Sequence, residues 1–271
     1  MTQHTTTEIT RVSVPTDTVA TTDQTNVYLI EGDESVLLDP AARHSTVDDA
    51  VTDCTPDHIT ATHSHPDHTG GLTAYAFETD ATVWAPVGYE NRFAQSTGVY
   101  PARTFREGHS VGPATAIETP GHASDHTAFE VELEDGRTAI FTGDLVVAEG
   151  SVVVGGPDAD MAAYLDSLRR VREREPDVIY PGHGPVIDEP HETINRLIAH
   201  REKREQSVLD ALAANAEDVE EIVDRAYEKD ISEVSDLARK TVVAHIRKLA
   251  DEKRVRWDPE TEQATLIGRE Q

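Results

Sequence analysis

The sequence predicts a layered α/β domain followed by a small helical module. Three observations carry this. Residues 1–190 alternate short Val- and Ile-rich runs with loops and a few helices. After about residue 190 the apolar residues recur at helical spacing instead. One of the strand-like runs ends in THSHPDHTGG, a density of titratable groups that makes poor building material for a core.

The strand candidates are TEITRVSV, NVYLIEG, SVLLDP, HITATHSH, ATVWAP, HTAFEVEL, RTAIFTGD and PDVIYPGHG, each bounded by turn residues. Helices are expected just after Gly70–Gly71 and over DADMAAYLDSLRRVRE. In the latter Met161, Tyr164, Leu165 and Leu168 fall on one face, and the acidic start and Arg-rich end suit the helix dipole. Val- and Ile-rich strands covered by helices make a layered α/β domain over residues 1–195.

The tail reads differently. HETINRLIAHREKREQSVLDALAAN presents Ile194, Leu197 and Ile198 on one face. Arg201, Lys203 and Arg204 interrupt that stripe before Val208, Leu209 and Leu212 resume it. The interruption predicts one helix serving two cores, or a linker near residue 200. A short helix with Val219, Ile222 and Val223 follows, then a longer one, SEVSDLARKTVVAHIRKLADEK. VRW and ATLI around DPETEQ form a hairpin. This is the outline of a winged helix-turn-helix over residues 200–271.

Composition limits the setting. No run of about 18 apolar residues is present, so no membrane-spanning helix is expected. The N-terminus has no secretory pattern, and the single cysteine, Cys54, fits a reducing cytoplasm. The net charge is −27, with 51 acidic against 24 basic residues and only five lysines. Such self-repulsion is tolerable where salt is concentrated, because the Debye length falls to about 3 Å at 1 M. The composition resembles that of salt-accumulating halophiles.

The histidine cluster points to metal. Neutral imidazole and carboxylate are zinc ligands. In an extended segment alternate residues point the same way, so His63 and His65 can reach one ion. Asp67 and His68, just past the strand end, can turn toward a second. Gly70 and Gly71 are expected to bend the chain into the next helix. Further ligands stand at other strand ends: His122 in TPGH, Asp144 in FTGD and His183 in YPGHG.

Together HSHPDH, His122, Asp144 and His183 make the chain resemble the metallo-beta-lactamase fold superfamily over roughly residues 8–190. TPGHASDHTAF, IFTGDLVVAEG, IYPGHGPVI and the helical tail resemble the family of beta-lactamase-like protein 2 more closely. That resemblance implies an αββα sandwich with a C-terminal winged helix. It implies that His63, His65 and His122 hold one metal, that Asp67, His68 and His183 hold the other, and that Asp144 bridges them. Two Zn²⁺ are expected, with iron or manganese as alternatives. Asp39 in LLDP would support the metal loop, although Ala41 or Ala42 replaces the glycine usual there. Asp67 would orient the attacking hydroxide, and His126 would serve as general acid.

Two metals lower the pKa of a shared water and suit hydrolysis of a phosphodiester or a carbonyl compound. The resemblance implies an endoribonuclease on single-stranded RNA. The tail carries 14 basic and 19 acidic residues after position 190, against 10 and 32 before it, so it holds most of the cations yet stays acidic. The alternatives are a thioester or ester hydrolase of the glyoxalase II kind and a non-enzymatic winged-helix regulator. The same THxHxDH motif serves the first two.

Overall fold

The computed structural model describes residues 7–18, 20, 22–227 and 234–268. The chain divides into two compact units. The first comprises residues 1–120, 125–152 and 167–194; the second comprises 121–124, 153–166 and 195–271. Two short segments from within the first 190 residues therefore group with the tail. A division by sequence position alone does not anticipate this.

The first unit holds two sheets. One has six strands in chain order: β1 (Glu8–Pro15), β2 (Gln24–Glu31), β3 (Val36–Leu38), β4 (His58–Thr60), β5 (Thr82–Pro86) and β6 (Arg103–Phe105). β1, β2 and β3 pair antiparallel and β3 to β6 parallel. The other runs β11-β10-β9-β8-β7, with β7 (Ser110–Val111), β8 (Ala114–Glu118), β9 (Thr127–Glu132), β10 (Thr138–Gly143) and β11 (Val178–Pro181). Alternation along β2 explains the layers. Val27 and Leu29 face a core shared with Val47 and Val51 of α1 (Ser45–Asp53), Leu72 and Tyr75 of α3 (Leu72–Thr79), and Phe93 of α4 (Glu90–Thr97). Tyr28 and Ile30 face the opposite way, into a core with Phe129 and Phe141 of the second sheet. The result is helix, sheet, sheet. Outside the second sheet, Ser167 and Arg170 bond to the carbonyls of Pro120 and Glu118. They belong to α5 (Met161–Glu173), whose first turn Asp160 caps by accepting from the N–H groups of Ala162 and Ala163.

Several details differ from expectation. α1, α4 and strands β6 to β8 were not predicted. α1 buries only Val47 and Val51, and α4 only Phe93 and Thr97, too few residues for a visible helical stripe. β4 stops at Thr60, so the histidines occupy a bend and a one-turn helix, α2 (Pro66–Thr69), rather than a strand. Gly70 and Gly71 have ordinary right-handed backbone. Their requirement is space: a Cβ on Gly70 would lie 2.6 Å from the Ala41 carbonyl oxygen, and one on Gly71 would lie 2.8 Å from the Ala42 carbonyl carbon.

In the second unit, helical residues from 195 onward, α7 (Val219–Ala226), α8 (Ser235–Asp251) and the hairpin β12 (Val255–Asp258)–β13 (Gln263–Leu266) surround a core of Val208, Leu212, Ile222, Val242, Ile246 and Leu249. Ser232 and Glu233, expected to open the third tail helix, lie outside the described residues. α6 runs unbroken from Pro190 to Ala213, so residue 200 is mid-helix and no linker interrupts it. The expected polar interruption is only partly solvated, with Lys203 exposed and Arg201 buried. Arg201 is 2% exposed, and its guanidinium lies 5.4 Å from the centre of the Tyr164 ring. No described helix is long and apolar enough to cross a membrane.

Candidate metal centre

The centre of the site is held by one residue with unusual backbone. Asp39, just past β3, has φ +51° and is 1% exposed. Oδ1 accepts from the Thr62 N–H at 2.6 Å, and Oδ2 accepts from the Thr62 hydroxyl at 2.9 Å. Oδ2 also lies 3.0 Å from His68 Nδ1. A carboxylate oxygen only accepts, so His68 carries its proton on Nδ1 and leaves Nε2 as a lone pair. The Thr62 hydroxyl spends its proton on Asp39. It therefore accepts from His63 Nδ1, 3.1 Å away, which turns the His63 Nε2 toward His65.

The same arrangement recurs elsewhere. His183 Nδ1 donates to the Gln24 carbonyl at 2.7 Å. In the segment 121–124, His122 Nδ1 donates to the Val153 carbonyl at 2.8 Å. Four histidines thus have Nδ1 tied to protein oxygen, which fixes the direction of each ring. Donation of the far N–H to an oxygen is the usual way a protein orients metal-binding imidazoles.

The lone pairs converge. Ligand atoms of His63, His68 and Asp144 lie within 4.8 Å of one another, as do those of Asp67, His68 and His183. Asp144 Oδ1 stands 3.4 Å from His68 Nε2 and 3.1 Å from His183 Nε2, and Asp67 Oδ2 is 3.7 Å from His183 Nε2. His63 Nε2 is 2.9 Å from His65 Nδ1. The Nε2 atoms of His68 and His183 are buried and make no hydrogen bond of acceptable geometry. Buried polar atoms are rarely left so, and a shared cation would satisfy both. The field agrees. Burial opposes charge on His68, but the carboxylates of Asp39 and Asp144 prevail and hold its pKa well above the ordinary value. For His183 burial is again opposed, here by Asp144, and the net shift is upward. Positive charge is favoured at this point. The His and Asp donor set fits zinc, iron or manganese.

His126 is placed differently from the expectation. Its ring is 2% exposed, and Nε2 accepts from the Asp144 backbone N–H at 3.2 Å. Nδ1 then donates to the Thr119 hydroxyl at 2.8 Å. Both nitrogens are engaged with protein groups, and Nε2 holds the Asp144 backbone.

Sequence reasoning missed Thr62 and Asp125. Asp125, 2% exposed, accepts from the Ser64 N–H at 3.0 Å and lies 3.2 Å from Arg92 Nε. It thereby ties the metal loop to the strand that follows it in the second sheet, β9. Both missed residues sit inside the two motifs, so their position there was the available signal. Gly182 has no room for a side chain: a Cβ would lie 2.7 Å from His68 Cε1 and 3.1 Å from Asp144 Oδ1.

Comparison with known proteins decides the family. Residues 20–183 match the model of the metallo-beta-lactamase superfamily. The chain belongs to that superfamily. As a member it is a metal-dependent hydrolase. It is 32% identical over 207 residues to a beta-lactamase-like protein 2 homolog of Caenorhabditis elegans, covering 71% of this chain and 67% of that one. It is 30% identical to an atrochrysone carboxyl ACP thioesterase of Passalora fulva, covering 71% of this chain but only 58% of the relative. A metallo-beta-lactamase family protein from Thermus thermophilus shares the fold with a TM-score of 0.76, covering 95% of this chain and 98% of that one at 20% identity.

Proposed function

We propose that this member of the superfamily hydrolyses thioesters with two transition-metal ions. The observation that carries the reading is the 30% identical relative named as a thioesterase. In this reading Asp67, His68 and His183 would hold one ion. His63, His65 and His122 would hold the other, with Asp144 shared between them. Zinc is the metal expected first. Bound ions would supply Lewis acidity and a water acidified toward neutrality. The chain's own contribution is orientation. Asp39 and Thr62 hold the imidazoles, Asp67 orients the attacking water, and His126 positions Asp144 through its backbone rather than serving as the acid.

A second reading, cleavage of single-stranded RNA, rests on the helix-and-hairpin tail, which we read as a winged helix-turn-helix. The ion pairs of that unit count against it. Lys248 bonds Glu205 at 2.6 Å and Glu252 at 2.7 Å. Arg254 bonds Glu205 at 3.1 Å, and Arg239 pairs with Glu262. Cations neutralised in this way contribute little to phosphate binding, which depends on released counterions. The deciding experiment offers metal-loaded protein an acyl-thioester panel and single-stranded RNA in molar KCl, because a net charge of −27 calls for screening. Thioester turnover without RNA cleavage is expected. RNA cleavage without thioester turnover overturns the reading.

A further inference from the structure

His183 is carried by a loop whose backbone is gripped from the other sheet. The grip comes from one side chain far away in sequence. Asn26 in β2 is 1% exposed and uses every hydrogen-bonding group of its amide. Its Nδ2 donates to the carbonyls of Pro181 and Gly184, both at 2.9 Å. Its Oδ1 accepts from the Ser13 hydroxyl at 2.6 Å. Its backbone N–H donates to the Gly182 carbonyl at 2.8 Å. Two carbonyls and one hydroxyl donor leave a single orientation for the amide. The Tyr28 hydroxyl adds a bond of 2.7 Å to the Pro181 carbonyl.

We propose that Asn26 is the positioning residue for the metal site of Asp67, His68 and His183. It clasps the His183 loop at both ends, through residues 181 and 184, and leaves the imidazole between them. The turn is tight: Gly184 has φ +81°, and Gly182 lies under His68 with no room for a Cβ. Gln24, two residues before Asn26 on the same strand, takes the His183 Nδ1 proton. One strand segment therefore sets the loop height, the ring tautomer and the direction of Nε2. Metal affinity depends strongly on such outer contacts, and losing one typically costs about 10–100-fold. His63 and His65 make no use of this clasp, so its loss acts on one ion and spares the other.

The proposal rests on the two-ion reading above, and the test keeps the two apart. Zinc binding to the full chain is titrated against a chromophoric chelator, with stoichiometry checked by elemental analysis. Wild type is expected to bind two ions; fewer than two sinks the two-ion reading itself. Asn26→Asp keeps the shape but turns a donor into an acceptor facing two carbonyls, and Asn26→Ala removes the clasp. In either folded variant one equivalent should weaken about tenfold or more while the other keeps its affinity. Two equivalents of unchanged affinity overturn the proposal. So does equal weakening of both, which marks a general packing role. Should both variants fail to fold, Ser13→Ala and Tyr28→Phe replace them. Each removes one bond of the clasp, and each should weaken the same single equivalent roughly fivefold. No change in either also overturns the proposal.

Discussion

Both units gather charged and polar side chains into clusters, but they arrange them differently. In the second unit Glu205, Lys248, Glu252 and Arg254 close on one another at 2.6–3.4 Å, and Arg239 closes on Glu262. In the first unit the far nitrogens of the histidines are satisfied, whereas the near ones gather at common points with Asp144 and Asp67. Side chains that close on one another as ion pairs are structure. Imidazoles that converge with carboxylates on common points are arranged for a shared cation. The count of charged residues therefore says little about function in either unit. The points on which their ligand atoms converge say much more.

The comparison breaks most readily at Asp144. Asp144→Ala removes the carboxylate between His68 and His183. Hydrolysis should fall by on the order of a hundred- to a thousandfold with the fold retained. Turnover near wild type in steady-state assays of metal-loaded protein would place the chemistry elsewhere. Asp39→Asn comes next. It leaves the shape and removes the acceptor that orients His68, so metal affinity should drop about 10–100-fold. Competition with a chelator measures this directly. His126→Gln should have a smaller effect, roughly tenfold in kcat, because Asp144 keeps its other contacts. Its basic pH limb should stay where it is in wild type. A lost limb would restore His126 as the acid.

The smallest effect belongs to the ion-pair cluster of the second unit. Burial opposes ionisation of Glu205, but His245 and Lys248 prevail and pull its pKa down to about 2. A carboxyl with a depressed folded pKa stabilises the protein at pH values above its unfolded pKa, near 4.5. That contribution is lost as pH falls toward about 2. Glu205→Gln should cost about 1–2 kcal/mol at pH 7 after solvent screening, and nothing near pH 2. Denaturant midpoints at the two pH values check the sign, and hydrolysis at pH 7 should be unchanged.

Much of this was legible beforehand where the signal is local. Most strands of the two sheets announce themselves because Val, Ile and aromatic residues crowd into short runs, whereas β6 to β8 do not. The metal loop announces itself because its ligands are nearly consecutive. α1 and α4 escaped because each buries only two residues, and no periodicity emerges from two. Arg201 was read only as a break in the apolar stripe, with nothing local to mark it as buried. Its burial depends on Tyr164, 37 positions earlier in the chain, which no window of sequence joins to it. The Asn26 clasp spans 155 positions to Pro181 and was invisible for the same reason. The glycine pair was noticed but for the wrong property: it is the absence of a Cβ against Ala41 and Ala42, not an unusual φ, that the fold requires.

That contact has a thermodynamic consequence. The segment from Asp39 to Gly71 is closed by backbone against backbone, with the Gly71 N–H bonded to the Pro40 carbonyl at 2.8 Å and the Asp39 N–H to the Thr60 carbonyl at 3.1 Å. None of these bonds passes through a ligand nitrogen. The cradle is therefore assembled by the polypeptide's own cooperativity, and metal uptake orders little chain. Small zinc modules that fold only with their ion behave in the opposite way. A chelator should strip this protein without melting it, and amide protons of residues 39–71 should exchange with solvent at nearly the same slow rate before and after.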